Sequence, residues 1–380
     1  MIKFCEALVN VNFLTAAASR CGQTYTFDSR FAPEKLTAQY TGPCSMGWRI
    51  LLRIFSMRIS IASHAFREGS SVVIVYRELS SLVSALGFSA KTLYGVSNRV
   101  TTHYRQLKIP KSNGGFRTLH IPDQLLKSIQ RQINLQLLLP EPVSPFATAY
   151  RPGGSTRINA LPHVGKPIVL KLDIDHFFDH AFYPLVKEKA FPAMRYSEKN
   201  RILLSLLCTY KDTLPQGAPT SPAISNMIMY DFDMAVGKWC VMHNVSYTRY
   251  CDDMTFSGMF DIAEVIAVVK DALKDCGFFL NARKTTVIRS SQRQTVTGLV
   301  VNEQVHIPSS YRNALRQELY YCRKFGIQSH LEHRHIKMEP EAYALSLLGK
   351  INYCLTIHAA DLMMLEMKQW LMQQIRNNCF

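Results

Sequence analysis

Paired cysteines are the first thing this chain lacks. Ten cysteines are scattered over 380 residues and no Cys-x-x-Cys pair occurs. Neither a zinc ribbon nor a disulfide framework is signalled, and reduced thiols in a cytosol fit that usage. Acidic side chains are also scarce. The 28 Asp+Glu face 44 Lys+Arg, which leaves a net charge of +16. Such an excess points to a polyanionic partner, and to nucleic acid ahead of a membrane, because no Lys/Arg-rich amphipathic helix dominates. Long apolar runs are missing as well. The nearest approach, Trp48 to Ala62, carries Arg49, Arg53 and Arg58. It is too short and too charged to span a bilayer, and it starts too far in for a secretory signal. No tandem repeat or low-complexity tract is present.

What is there has the apolar and charged fractions of a soluble globular protein, 47% and 19%. The length suits two or three subdomains. Residues 1–75 show no sustained period. They read as an accessory layer, a poorly ordered segment, or sequence ahead of a later start at Met46 or Met57. From Val72 onward the pattern sharpens. Tyr104 to Pro122 reads as strand, Asn-Gly-Gly turn, strand. A helix opening at Pro122-Asp123 carries Leu125, Leu126, Ile129, Ile133, Leu137 and Leu138 on its apolar face. Eight Lys/Arg and one acid fall between residues 91 and 131, so the hairpin is a solvated surface or a cradle for phosphates, with Lys111 and Arg117 beside the turn. One helix is expected from Ile224 through Trp239, and a strand is expected over Thr295–Val301. The chain reads as helical from Pro308 onward. A loop between those helices carries His330, His333 and His335, for which a solvated or phosphate-facing role is favoured over zinc.

Three carboxylates stand out. Ile168-Val-Leu-Lys-Leu-Asp-Ile174 is a short apolar run of the kind buried in a sheet centre, yet Asp173 ends it. A buried carboxylate is costly unless it is paired or used. Asp252-Asp253 lies between two runs rich in aromatic and β-branched residues, at or beside a hairpin tip. Alone, that pair is an ordinary turn. With Asp173 on a neighbouring antiparallel strand, the three would converge. Such a set suits two magnesium ions that serve an in-line phosphoryl displacement. Asp175 is a further carboxylate two residues on, either a secondary metal group or a structural one.

Asp173 with Phe178, Gln216-Gly217-Ala218-Pro219-Thr220-Ser221-Pro222, Tyr250-Cys251-Asp252-Asp253 and Lys284 occur in the order of reverse transcriptase motifs. The chain resembles that family, and the Ser221, Pro222, Ser225, Asn226 pattern is similar to its bacterial branch. Asn159-Ala160-x-x-His163 and Val296-Thr297-Gly298 resemble retron enzymes in particular. The likeness spans roughly residues 78–305 by motif and leaves 1–75 uncovered.

It implies an α+β right-hand polymerase. Residues 1–75 would form an N-terminal extension, 76–165 the fingers, 166–304 a palm with an antiparallel sheet, and 305–380 a basic helical thumb. Asp173, Asp252 and Asp253 would hold two Mg²⁺ ions, with Mn²⁺ as a substitute. Lys284 would donate a proton to pyrophosphate or contact phosphate. Lys111, Arg117, Gln216 and Gly217 would hold the dNTP, and Phe178 would exclude a 2′-hydroxyl. Asn159, His163, Val296, Thr297, Gly298, Arg312, Arg316, Arg323 and Lys324 would contact RNA. The expected partners are a structured non-coding RNA serving as template and primer, its DNA product, and a separate effector protein in an anti-phage system; no membrane is involved. Cys251 replaces the usual Ala, which predicts retained activity with added sensitivity to oxidation. The alternatives are another bacterial reverse transcriptase (group II intron-like, diversity-generating or abortive-infection) or a catalytically silent RNA-binding scaffold.

Overall fold

Two strands flank Gly114 and Gly115 and pair as a hairpin, as the glycine-rich composition there requires. β1 (Tyr104–Pro110) pairs antiparallel with β2 (Phe116–Pro122), from Tyr104 opposite Pro122 to Pro110 opposite Phe116. Gly114 and Gly115 take φ of +88° and +78°, a region that residues with a Cβ rarely enter. The computed structural model describes residues 75–110 and 114–377. Expectations for residues 1–74 and for Lys111 lie outside the described residues.

Asp123 caps the next helix, Gln124–Ile133, by accepting from the Leu126 amide at 2.9 Å. Leu126, Ile129 and Ile133 are buried on one face, and Leu137 and Leu138 continue it through a π-helical turn. Leu125 departs from the expected face and is exposed. One step from Leu126 around the helix turns it about 100° away from the core.

The central sheet is built from β3 (Ile168–Asp173), β4 (Ser246–Tyr250), β5 (Asp253–Gly258) and β6 (Thr286–Arg289), in the order β4-β5-β3-β6. β3 pairs antiparallel with both β5 and β6. The alternation of side chains assigns a task to each face. Leu170, Leu172, Met254, Phe256 and Tyr247 point to the helices and join a core that also takes in Tyr76, Leu82, Ile129, Phe177, Leu204, Phe232 and Phe278. The expected fingers and palm therefore share one core. Val169 faces the other way, into a second core with Ala160, Val296, Leu299 and the C-terminal helices Ser309–Phe325, Pro340–Ile357 and Leu362–Asn377. Each fully buried Leu, Ile or Phe in these cores contributes about 1.5–3 kcal/mol.

Three local expectations are corrected. The helix expected from Ile224 to Trp239 is two, Ser221–Ile228 and Tyr230–Met242, broken at Met229. The Ser225 hydroxyl bonds back to the Pro222 carbonyl at 2.7 Å just before the break, a contact that bends helices. The expected strand 295–301 is a hairpin of β7 (Thr295–Val296) and β8 (Leu299–Val300). Its turn residues Thr297 and Gly298 have φ of +45° and +80°, positive at both centres as tight hairpin turns demand. The His-rich loop is largely a helix, Ile327–His333, and His330 is buried in it between the rings of Tyr321 and Tyr343. No helix among the described residues is long and apolar enough to cross a membrane.

Candidate active site

Asp173 and Asp253 are directly opposite each other in the β3–β5 ladder. Tyr250 pairs with Asp253 across the β4–β5 hairpin, which leaves Cys251 and Asp252 as its two-residue turn. The sequence thus delivers one carboxylate from a central strand, one from the adjoining strand and one from the turn between strands. All three lie at the same end of the sheet. Asp173 is 6% exposed, and the Lys284 ammonium donates to both of its oxygens at 2.8 and 2.9 Å. Lys284 is brought there by the turn Ala282–Lys284, which follows a backbone bond from the Asn281 amide to the Asp173 carbonyl at 2.8 Å. That pairing raises the Lys284 pKa, so the side chain holds its proton and serves first as the counter-charge of Asp173.

Among the described residues no cation is paired with Asp253 as Lys284 is with Asp173, although the Lys284 charge acts weakly on Asp253. It has an exposed side at the strand end, but the protein around it removes enough water to be the largest cause of its shift. The charges of Asp252 and Asp173 add to that, and its pKa is pushed up to about 6. Among the described residues no group of three or more His, Cys, Asp or Glu is gathered at metal-holding geometry. The donor set still fits a hard divalent cation. It consists of carboxylate oxygens that repel one another, and magnesium takes one or two protein carboxylates with substrate phosphates and water for the rest.

The raised pKa has a thermodynamic sign. The folded value, about 6, exceeds the ordinary 3.8, so the ionised form is disfavoured by folding. That destabilisation is complete above about pH 6 and vanishes as pH falls toward 3.8. In chelator, Asp253→Asn is expected to melt above the wild type at pH 7.5, with the gap narrowing by pH 5. A gap that stays constant across that range would remove the repulsion from the account.

Cys251 has φ +62°. A residue with a Cβ in that region is strained by roughly 1–2 kcal/mol. Its thiol is buried, and burial together with Asp252 pushes its pKa up to about 12. A protonated thiol is a poor nucleophile, so the expected sensitivity to oxidation is corrected. Tyr150, itself at φ +59°, hydrogen-bonds the same thiol. Asp175 lies beyond the end of β3 and accepts from Asn281 Nδ2 at 3.1 Å, which gives it a structural partner.

The described residues expected around a nucleotide come from three segments, β2, the Gln216-Gly217 turn and the helix Phe177–His180. The Gln216 carbonyl accepts from the His120 amide of β2 at 2.8 Å. Gly217 follows at φ +120°, where a Cβ would meet the His120 carbonyl oxygen at 2.9 Å. Only glycine fits both the angle and the approach. Gly217→Ala is expected to cost about 1–3 kcal/mol in denaturant unfolding; wild-type stability would mean that the turn relaxes freely. Arg117 is exposed on the same strand, opposite Ile109. Phe178 is half-buried in the short helix Phe177–His180 that follows β3, its ring edge-on to Phe177 at 5.3 Å.

The residues expected to contact RNA divide. Asn159 and His163 are 1% and 0% exposed. Asn159 Oδ1 accepts from the Thr148 hydroxyl at 2.7 Å. The two His163 ring nitrogens lie 2.7 Å from Ser257 Oγ and 2.8 Å from Thr248 Oγ1. Burial pushes the His163 pKa down to about 3, so the ring is neutral. His163 fastens the segment 156–163 to the sheet and Asn159 ties it to Thr148 and, at 3.4 Å, to Thr297, and direct RNA contact by their buried side chains is corrected on that ground. Val296 is likewise buried. Thr297 and Gly298 form the accessible turn, with the Thr297 hydroxyl donating to the Thr156 carbonyl at 3.2 Å.

On the helix Ser309–Phe325, Arg312 pairs with Asp361 and Arg323 with Glu366, both at 2.7 Å. The Arg323–Glu366 pair is exposed on both sides and is worth at most about 1 kcal/mol, whereas Asp361 is largely buried beneath Arg312. The Lys324 ammonium lies over the Tyr320 and Phe325 rings. Arg316 lines a cavity of about 480 Å³ with Tyr320, Tyr321, Met363 and Met367.

Sequence reasoning passed over one group at this site. Arg249, two residues ahead of Cys251, is fully buried and gripped by the equally buried Asp233. An arginine in a β-branched strand, with an aspartate on the apolar face of the preceding helix, was the available signal.

Residues 109–301 match the family described as reverse transcriptase (RNA-dependent DNA polymerase). The chain is 32% identical over 284 residues to the retron Mx65 reverse transcriptase of Myxococcus xanthus, covering 68% of this chain and 66% of that protein, just under two thirds of its length. It is 28% identical to the retron Ec86 reverse transcriptase of Escherichia coli, over 71% of this chain and 85% of that one. The retron Ec83 reverse transcriptase of the same organism is 36% identical over 43% of this chain and 55% of its own.

Proposed function

The chain belongs to the reverse transcriptase family, and from that premise we propose that it is a retron-type RNA-directed DNA polymerase that copies part of a structured non-coding RNA into DNA. The observation that carries the reading is the placing of Asp173 opposite Asp253, with Asp252 in the adjoining turn. Two divalent ions, magnesium with manganese as a substitute, would be held by Asp173, Asp252 and Asp253 and would stabilise charge on the attacking and leaving oxygens of nucleotidyl transfer.

The chain's own groups do the rest. Lys284 neutralises Asp173 until substrate arrives, then turns to the triphosphate. Arg117 meets the phosphates from β2, and Lys111 is a second phosphate contact. The Gln216-Gly217 turn, fixed against β2, presents backbone to the incoming nucleotide. Phe178 excludes a 2′-hydroxyl. Arg312, Arg316, Arg323, Lys324 and the Thr297-Gly298 turn contact the RNA, which is recognised by shape, 2′-hydroxyls and phosphates.

Synthesis starts from a 2′-hydroxyl of the same RNA and leaves a branched RNA–DNA product. A separate effector protein completes an anti-phage system in the bacterial cytoplasm. The likeness to the Mx65, Ec86 and Ec83 retron enzymes and the +16 charge support this reading. The assay that tests it is RNA-templated incorporation of dNTPs by the purified protein with Mg²⁺; no incorporation on any RNA, including RNA that copurifies, would overturn it.

A further inference from the structure

We propose that Arg249, clamped by Asp233, is a positioning residue that fixes the Cys251–Asp252 turn so that Asp252 meets its metal. This rests on the polymerase reading above. The Arg249 side chain lies on the same face of the sheet as Met254, opposite the face that carries Asp253. Its Nε and Nη2 fork onto the two Asp233 oxygens at 2.8 and 2.6 Å. Nη1 donates to the Cys251 carbonyl at 2.9 Å, and Nη2 also reaches Asn226 Oδ1 at 3.3 Å. Tyr247 donates its hydroxyl to Asp233 at 2.8 Å. Asn226 in turn donates to the Ala149 carbonyl at 3.0 Å, next to Tyr150.

The arrangement is more than a buried ion pair. Cys251 is the strained residue of the turn, at φ +62°, and its carbonyl is the acceptor at the end of the clamp. The planar guanidinium can hold Asp233 with one edge and the carbonyl with another, which an ammonium cannot do at once. Asn226 lies on the helix that begins five residues before it, directly after the Gln216–Thr220 turn. The clamp therefore ties the element expected to present the nucleotide to the turn that carries Asp252. Groups of this kind, which orient ligands from behind, typically change metal affinity or activity by about 10–100-fold when removed.

The test exploits a property of buried ion pairs. Removing one partner is strongly destabilising, whereas replacing the whole set by apolar residues is often neutral or stabilising. The variant Asp233→Leu/Tyr247→Phe/Arg249→Met is compared with wild type by thermal melting, by Mn²⁺ affinity from electron paramagnetic resonance with dNTP bound, and by kcat and KM. The expected result is near-wild-type melting with Mn²⁺ affinity and kcat each lower by roughly 10–100-fold and KM for dNTP little changed. A well-folded variant with wild-type Mn²⁺ affinity and kcat would overturn the proposal. Should the triple variant not fold, Arg249→Lys is read in the same way. It keeps the charge but not the fork, so about tenfold weaker Mn²⁺ binding supports the clamp, and unchanged binding overturns it. Asp252→Asn is the control. If it leaves Mn²⁺ binding unchanged, the carboxylate assignment itself fails; if it weakens binding while the clamp variants do not, only the clamp fails.

Discussion

Asp252→Asn is expected to abolish DNA synthesis while leaving RNA binding intact. Asp252 sits in the turn between β4 and β5, beside the strand pair that carries Asp173 and Asp253. The amide keeps the shape of the side chain but removes its charge, so a cation loses one of its few anionic ligands. Losing several kcal/mol of charge stabilisation in the transition state corresponds to about a thousandfold in rate. The fold should tolerate the change, because a like charge is being removed from a crowded group. RNA affinity should also hold, since the basic side chains proposed to contact RNA on the helix Ser309–Phe325 are untouched. A primer-extension assay together with a filter-binding measurement separates the two effects. DNA product near the wild-type rate would sink the assignment of the carboxylates.

Phe178→Ala is the second large effect. Its ring is half-buried against Phe177, which in turn stacks on Phe278 at 5.0 Å. That support holds the aromatic edge firm at the start of the segment that follows β3. A rigid ring beneath the sugar discriminates by clash, a repulsive device in which the wrong substrate loses more than the right one gains. Truncation should admit ribonucleotides and reduce the preference for dNTP over rNTP by roughly 10–200-fold, the range that steric pockets achieve. The measurement is kcat/KM for matched dNTP and rNTP pairs. An unchanged ratio would remove the gate role from Phe178 and leave it as a packing residue.

The convergence of the three carboxylates at one end of the sheet is legible in the sequence because it rests on residues that physics makes conspicuous. An aspartate ending an apolar strand needs a reason, and two aspartates between β-branched runs gain one when a third is near. The Gly-rich hairpin and the Asp123 cap are local signals and were read correctly. The parts that were not legible depend on the tertiary environment. Asn159 and His163 look the same in sequence whether they face RNA or bond to Thr148, Ser257 and Thr248; only burial decides between the two. The clamp of Arg249 on Asp233 joins residues 16 apart across a helix and a strand, and its purpose appears only when the Cys251 carbonyl is seen at its end. The break at Met229 lay inside an unbroken apolar period, because helix periodicity records which residues face the core and not whether the axis continues. Cys251 drew notice as a thiol. Its backbone angle, which sequence does not report, is the more consequential property.

Under the proposed function, this chain makes DNA joined to its own RNA partner. The most direct measurement is on the nucleic acid that copurifies with the protein expressed alongside the RNA encoded beside its gene. The extract is denatured, then treated separately with DNase and RNase. The account predicts a species in which DNA stays joined to RNA through denaturation. It should be shortened by either enzyme and should be missing from Asp252→Asn preparations, which still carry the RNA. RNA alone in both preparations, with no DNA joined to it in the wild type, would contradict the account.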